Sequence, residues 1–182
     1  MRLARLSLLL LFLTTIFTGC IKKGENDPIV SIYKRSTRLS GVWKLQELQI
    51  QDHVVDPAGN ISVVIRTLTQ GKYTETRGTD TVSNTYIGTI NATLTITDST
   101  SSKYSYLEEV ATNGLNYTVK LDNKTWSWKE GSSKSSLVFQ DFKTFDIAGL
   151  WMDKLELNIT DINALNSNGD HSYVEHWVFT KL

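Results

Sequence analysis

The stretch YIGTINATLTI, residues 86–96, alternates between two kinds of side chain along its length. Its even-numbered positions are mostly apolar, whereas its odd-numbered positions from 89 onward are Thr or Asn. Because successive side chains of a strand point to opposite faces, this pattern predicts a β-strand with one buried and one exposed face. Thr, Ile and aromatic residues also favour strands.

The same alternation recurs in LNYTVKL, residues 115–121, and in LELNI, residues 155–159. Clusters of turn-forming residues separate such segments, namely DPAGN, TRGTD, TDSTSS, TNG, LDN, KEGSSKSS and NSNGD. We expect about eight to ten strands and no long amphipathic helix. Closely spaced antiparallel strands predict an all-β domain, built as an up-and-down β-barrel or, alternatively, as a β-sandwich.

The N-terminus has the pattern of an export signal. Arg2 and Arg5 precede an apolar run, LSLLLLFLTTIF at 6–17, which is shorter than the roughly 20 residues that cross a bilayer. Two small residues follow, and then Cys20, which is the one cysteine of the chain. A lone cysteine forms no intramolecular disulfide, so an unpaired thiol in an exported chain needs another explanation.

The segment FTGC, residues 17–20, resembles the lipobox of bacterial lipoproteins, in which the cysteine is lipidated and becomes the first residue. The resemblance implies a membrane anchor of two or three acyl chains, such as palmitate, at Cys20. One chain alone would anchor only marginally. In Gram-negative bacteria Asp after this cysteine usually retains a lipoprotein in the inner membrane. Ile21 stands there instead, which favours the outer membrane, on its periplasmic face or at the cell surface.

These patterns divide the chain into three parts. We expect a signal peptide at 1–19, a lipidated N-terminus and tether at 20–38, and one β-domain at 39–182, which is long enough to bury a sizeable core. The chain has 19 basic and 19 acidic residues, and loss of Arg2 and Arg5 with the signal leaves 17 basic ones. No basic field remains to attract nucleic acid. The sequence identifies no protein partner.

The β-domain opens with LSGVWKLQELQI, residues 39–50, and closes with HWVFTKL, residues 176–182. Gly41 and Trp43 resemble the Gly-x-Trp signature of lipocalins. The whole layout is similar to the lipocalin-like lipoproteins of Gram-negative bacteria, which have a lipobox, a tether, this first strand and a final aromatic-x-Phe-x-Lys strand. The resemblance implies an up-and-down barrel with Trp43 at its base.

Catalytic and metal-binding patterns are missing from the sequence. His171 and His176 differ by an odd number on one predicted strand and so face opposite sides, while His53 lies far away in sequence. No zinc-ligand spacing, Gly-x-Ser-x-Gly elbow or P-loop occurs. We therefore expect neither an enzyme nor a metal or cofactor site.

Aromatic residues are the remaining candidates for a binding site. Inside a barrel they can line a ligand cavity, although they also serve as plain core. The candidates that we expect to line a cavity are Tyr117, Trp126, Trp128, Tyr173 and Trp177. The first hypothesis is therefore binding of a small apolar or amphipathic ligand in the barrel. The alternative is a module that binds a protein or glycan through its loops or outer face. If Trp126 and Trp128 point outward, they would suit such a surface.

Acylation of Cys20 is the testable consequence of the lipobox resemblance. In cells fed a fatty-acid probe, the natural protein should be labelled and the Cys20→Ser variant should not, because serine offers no thiol for the lipid. Equal labelling of the two proteins, measured on equal amounts of each, would contradict the assignment.

Overall fold

A computed structural model describes residues 34–56, 58–79, 81–98, 100–130, 134–166 and 169–182, without the side chains of residues 160–171. The predicted signal peptide, Cys20 and most of the predicted tether lie outside these residues. The described elements are α1 (Arg35–Leu39), β1 (Gly41–Val55), β2 (Ile61–Thr69), β3 (Lys72–Gly78), β4 (Ser83–Ile96), β5 (Lys103–Thr112), β6 (Asn116–Trp128), β7 (Ser136–Phe139), β8 (Thr144–Leu150), β9 (Lys154–Asn166) and β10 (Gly169–Lys181).

The ten strands form one closed barrel. Each strand pairs antiparallel with the next one in the chain, and β10 pairs with β1 to close the ring. The prediction of an all-β, up-and-down barrel of about eight to ten strands is confirmed. Within the part of the chain that is described, no helix has the length and apolar character to cross a bilayer.

The base of the barrel, defined here as the end where β1 begins and β10 ends, is a complete ring of eight strands. The hairpin of β2 and β3 does not reach it, so the first residues of β1 pair with β4 instead, from Gly41 opposite Ile96 to Lys44 opposite Thr93. The ring continues from β4 through β5, β6, β7, β8 and β9 to β10. Eight strands are just wide enough for side chains to fill the interior.

The upper half of the barrel also has eight strands, but its wall is open on one side. There β2 and β3 lie between β1 and β4, whereas β7 and β8 are too short to extend this far. β7 pairs with β6 at residues 126–128, and β8 pairs with β9 no further than Asn158. Among the described residues no pairing joins β6 to β9 above these points. At this wall opening, residues 116–124 of β6 and 159–166 of β9 have no neighbouring strand along one edge within the described part of the chain.

The side chains of residues 86–96 alternate between a more buried and a more exposed face, as predicted. On β4 burial increases toward the base, where Ala92, Leu94 and Ile96 are fully buried. Aromatic rings dominate this base core and contact one another edge-on or stacked, with Phe145 and Phe179 each 5.9 Å from the ring centre of Trp177. Such contacts contribute beyond the area they bury. The base is therefore a solid, apolar floor.

Helix α1 belongs to the folded domain, although the sequence placed its first four residues in the tether. Its last residue, Leu39, is fully buried. Arg38 donates a hydrogen bond to the carbonyl of Leu150, and Arg35 donates one to the carbonyl of Lys134. These hydrogen bonds connect the helix to β8 and to the chain segment that precedes β7.

Gly41, Trp43 and Lys181 form one packed unit at the base. Trp43 is fully buried, and its indole nitrogen donates to the carbonyl of Leu39 at 2.8 Å. Lys181 pairs with Trp43 across the closing strands, and its ammonium lies 5.0 Å from the centre of the indole ring. A Cβ at Gly41 would come within 2.3 Å of the Lys181 side chain, and Gly41 has a φ of +143°. Only glycine suits this backbone and leaves room for the lysine.

Replacement of Trp43 by Ala should reduce the free energy of unfolding by about 3–5 kcal/mol, since it empties a fully buried site. Denaturant unfolding of the purified protein measures this. The control is Trp151→Ala, because Trp151 is only half-buried on the outer face, and its replacement should cost clearly less. A loss under about 1 kcal/mol for Trp43→Ala would show that the base does not depend on this residue.

Candidate functional site in the upper barrel

Three Tyr-x-Glu units point into the barrel from three different strands. Residues two apart on a strand share a face, so in each unit the tyrosine hydroxyl can reach the following carboxylate. In all three units it donates a hydrogen bond to that carboxylate. The units are Tyr73 and Glu75 on β3, Tyr106 and Glu108 on β5, and Tyr173 and Glu175 on β10. The three glutamates are 0%, 2% and 1% exposed, respectively.

Each buried glutamate also has a cationic partner. Arg66 on β2 donates to Glu108 at 2.5 Å, and Arg77 donates to Glu75. Lys143, in the turn between β7 and β8, donates to Glu175. A buried carboxylate persists in its charged form only when charge and hydrogen bonds compensate for lost hydration, and these partners supply both.

Arg66 lies at the centre of the first two units. Its guanidinium carbon is 5.8 Å from the ring centres of both Tyr73 and Tyr117, and its Nε donates to the Tyr73 hydroxyl at 2.9 Å. Burial alone would lower the pKa of Arg66. The charge of Glu108 and the neighbouring tyrosines together outweigh burial, so the pKa of Arg66 lies above its ordinary value. Arg66 therefore stays charged at neutral pH, as arginine side chains do.

Tyr73, Tyr106 and Tyr117 remain protonated hydrogen-bond donors. Burial raises the pKa of Tyr73, Tyr106 and Tyr117, and for Tyr106 the negative charge of Glu108 raises it further. The pKa of Glu75 shifts in the opposite direction. Burial alone would raise its pKa, but hydrogen bonds from Tyr73 and Arg77 and the charge of the arginines outweigh burial, so the pKa is lowered. Glu75 is thus held as a carboxylate that accepts hydrogen bonds from the protonated hydroxyls of Tyr73 and Tyr117.

The turn between β7 and β8 folds inward at the lower edge of the wall opening. The ring of Phe142 stacks on Tyr106 at 4.9 Å and contacts Trp177 at 6.5 Å. Lys143 donates to the Tyr173 hydroxyl as well as to Glu175, and its ammonium lies 5.1 Å from the centre of the Tyr173 ring. This turn therefore separates the aromatic floor from the space above it.

Above the turn, Tyr73 and Val110 are buried, but several other inward-facing apolar and aromatic side chains are only half-buried. They pack against the core but retain contact with solvent, whereas the inward residues of the base, apart from Trp128, are mostly buried. Since these side chains point into a barrel, their exposure means that water reaches the upper interior. The apolar and aromatic members of this group on the upper wall are Ile90, Tyr117, Val119, Leu121, Ile159 and Tyr173.

The five aromatic residues predicted to line a cavity occupy two different places. Tyr117 and Tyr173 lie in the upper interior, and both bond to the charged cluster. Trp126 and Trp177 are 3% and 2% exposed and belong to the base core. Trp128 is half-buried beside Trp126, with ring centres 5.5 Å apart. The alternative in which Trp126 and Trp128 point outward as a flat binding surface is wrong, because their strand turns both toward the core.

The charged cluster itself did not emerge from the sequence, because its carboxylates looked like those of turns and exposed faces. The signal that could have found it is the threefold Tyr-x-Glu repeat within alternating segments. A glutamate that shares a strand face with buried aromatic residues must itself point inward. Sequence alone does not show which cations meet these glutamates, because Arg66 and Glu108 are separated by 42 residues and Lys143 and Glu175 by 32.

No protein-family model, no curated protein and no solved structure matches this chain. Within the described residues, no group of three His, Cys, Asp or Glu side chains could hold a metal ion, so the three buried glutamates do not form such a group. Their partners are phenols and cations instead. This arrangement suits hydrogen bonding and charge recognition.

Replacement of Glu75 by Gln should destabilise the protein by about 3 kcal/mol at pH 7, because it leaves Arg77 and Tyr73 without their charged partner. The native pKa of Glu75 lies below its ordinary value of 4.5. Its stabilisation is therefore complete above about pH 5 and is lost as the pH falls through the native pKa. The difference between the natural protein and Glu75→Gln should shrink on acidification.

Denaturant unfolding at several pH values tests this expectation, with Glu109→Gln as the control. Glu109 is the neighbour of Glu108 on β5 but points outward and is exposed. Its replacement should change stability by less than about 0.5 kcal/mol. Equal effects of the two substitutions would mean that the inward position of Glu75 has no energetic consequence.

Proposed function

We propose that the protein is a lipid-anchored envelope protein of the outer membrane that binds one small amphipathic ligand in the upper interior of its barrel. The anchor is Cys20, and the barrel is of the lipocalin-like kind that the Gly-x-Trp segment resembles. The protein acts by binding and is not an enzyme.

The observation that carries this proposal is the contrast between the two halves of the barrel. The base is filled with buried aromatic side chains, whereas several inward-facing apolar residues of the upper half, such as Val119 and Leu121, are only half-buried. An eight-stranded barrel is just wide enough to hold one small ligand where side chains do not fill it. The wall opening between β6 and β9 offers a lateral way in.

The composition of the upper interior favours an amphipathic ligand over a purely apolar one. Ile90, Val119 and Leu121 provide apolar contact on β4 and β6. Directly beside them lie the hydroxyl of Tyr117 and the charged groups of the Tyr-x-Glu units. Binding sites of this kind combine an apolar wall with a few placed polar groups that fix the ligand's orientation.

A hydrophobic dye such as Nile red tests for this site. It should bind the purified protein saturably with a dissociation constant in the micromolar range, about −8 kcal/mol. Val119→Trp should abolish or strongly weaken binding, because the indole would occupy the upper interior. Thr118→Trp is the matched control, since Thr118 is the exposed neighbour on the same strand.

Saturable binding that Val119→Trp leaves unchanged would place the dye elsewhere on the protein and contradict the proposal. Complete absence of binding would also contradict it, and would favour the alternative of a module that recognises a protein or glycan through its loops.

A further inference from the structure

We infer that the ligand of the upper barrel carries an anionic group, such as a carboxylate, sulfate or phosphate monoester, on an apolar chain. This inference rests on the proposed ligand-binding function and names the chemistry that the charged cluster selects. It follows from the greater solvent exposure of the cations of the cluster than of its carboxylates.

The cluster contains three carboxylates and three cations, and the cations are more exposed to solvent than the carboxylates. The side chains of Glu75 and Glu175 are 0% exposed, and that of Glu108 is 3% exposed. Their cationic partners lie in front of them, with 50% of Arg77, 28% of Lys143 and 15% of Arg66 exposed. A molecule that enters the upper interior therefore meets the cations first.

Arg66 also has more unused hydrogen-bonding groups than Glu75. Glu75 accepts from Tyr73, Arg77 and Tyr117, so its lone pairs are largely used. Arg66 has spare donors, because its Nε and Nη2 have partners, but within the described part of the chain Nη1 has none and is not buried. A guanidinium with free N–H groups favours an oxyanion, and such charge-assisted bonds are stronger than neutral ones.

Arg66 and Arg77 are also close enough to act together. Arg77 donates to one oxygen of Glu75, and Nε of Arg66 lies 3.9 Å from the other oxygen. The two guanidinium groups thus flank a single carboxylate, and both face the interior from neighbouring strands. An anionic head group placed against them would have its chain beside Val119 and Leu121, on the half-buried apolar wall.

Displacement of Nile red by amphiphiles with the same chain and different head groups tests the inference. Dodecanoate, dodecanol and dodecyltrimethylammonium, each below its micelle concentration, share a twelve-carbon chain and carry an anionic, a neutral and a cationic head group. Dodecanoate should displace the dye at a concentration at least about tenfold lower than the cation does, equivalent to 1.4 kcal/mol. Acetate should not displace it, because a free anion lacks the chain.

A pair of variants assigns the preference to the cluster. Arg77→Gln should reduce the preference for dodecanoate over dodecanol by at least about threefold. Glu75 keeps Tyr73 and Tyr117 as hydrogen-bond donors in this variant. Lys120→Gln removes the same charge from an exposed, outward position of β6 and should leave the preference unchanged. Thermal unfolding of both variants verifies that they are folded.

Equal displacement by the three amphiphiles, or the same behaviour of Arg77→Gln and Lys120→Gln, would overturn the anionic preference while the binding site itself stands. Failure of Nile red to bind at all would overturn the proposed function and this inference together. Displacement by acetate alone would overturn the requirement for an apolar chain.

Discussion

The barrel closes because β1 pairs along both of its edges and changes partners along one of them. On one edge β1 pairs with β10 from Trp43 to Val55. On the other it pairs first with β4 and then with β2. The change of partner makes room for the hairpin of β2 and β3 in the upper half, and it brings Arg66 and Glu75 into the wall. The closed base and the charged upper interior are both consequences of this one arrangement.

The base supports the site above it by fixing the positions of the strands that carry the cluster. Lys181 lies over Trp43 at the end of β10, and six residues earlier on the same strand Glu175 points into the interior. Between them Trp177 packs in the aromatic floor and donates from its indole nitrogen to Glu175 at 2.8 Å. The floor thus holds one of the three carboxylates directly, which restricts where Lys143 and Tyr173 can lie.

Buried charges are costly, and three buried glutamates in one small barrel need an explanation beyond stability. In many proteins, apolar residues of similar size in place of a buried ion pair do not reduce stability. The cost of removing the charges from water can exceed their mutual attraction. Here the carboxylates orient tyrosine hydroxyls and cations around a space that solvent reaches. In the proposed ligand binding, this network of three carboxylates and three cations would present its cations to the ligand.

The sequence by itself determined that the domain is all-β, since a side-chain period of two and regularly spaced turns indicate closely spaced antiparallel strands. It left a barrel and a sandwich open, and the pairing of β10 with β1 decided for the barrel. The resemblance of Gly41 and Trp43 to the lipocalin signature also implied that Trp43 would lie at the base of the barrel, and Trp43 is fully buried there. The sequence did not determine which charges meet. Alternation places Glu108 on a face, but only closure of the ring brings Arg66 from β2 opposite it, and only the inward turn after β7 brings Lys143 to Glu175. Contacts between residues far apart in the chain depend on strand order and register, which local patterns do not specify.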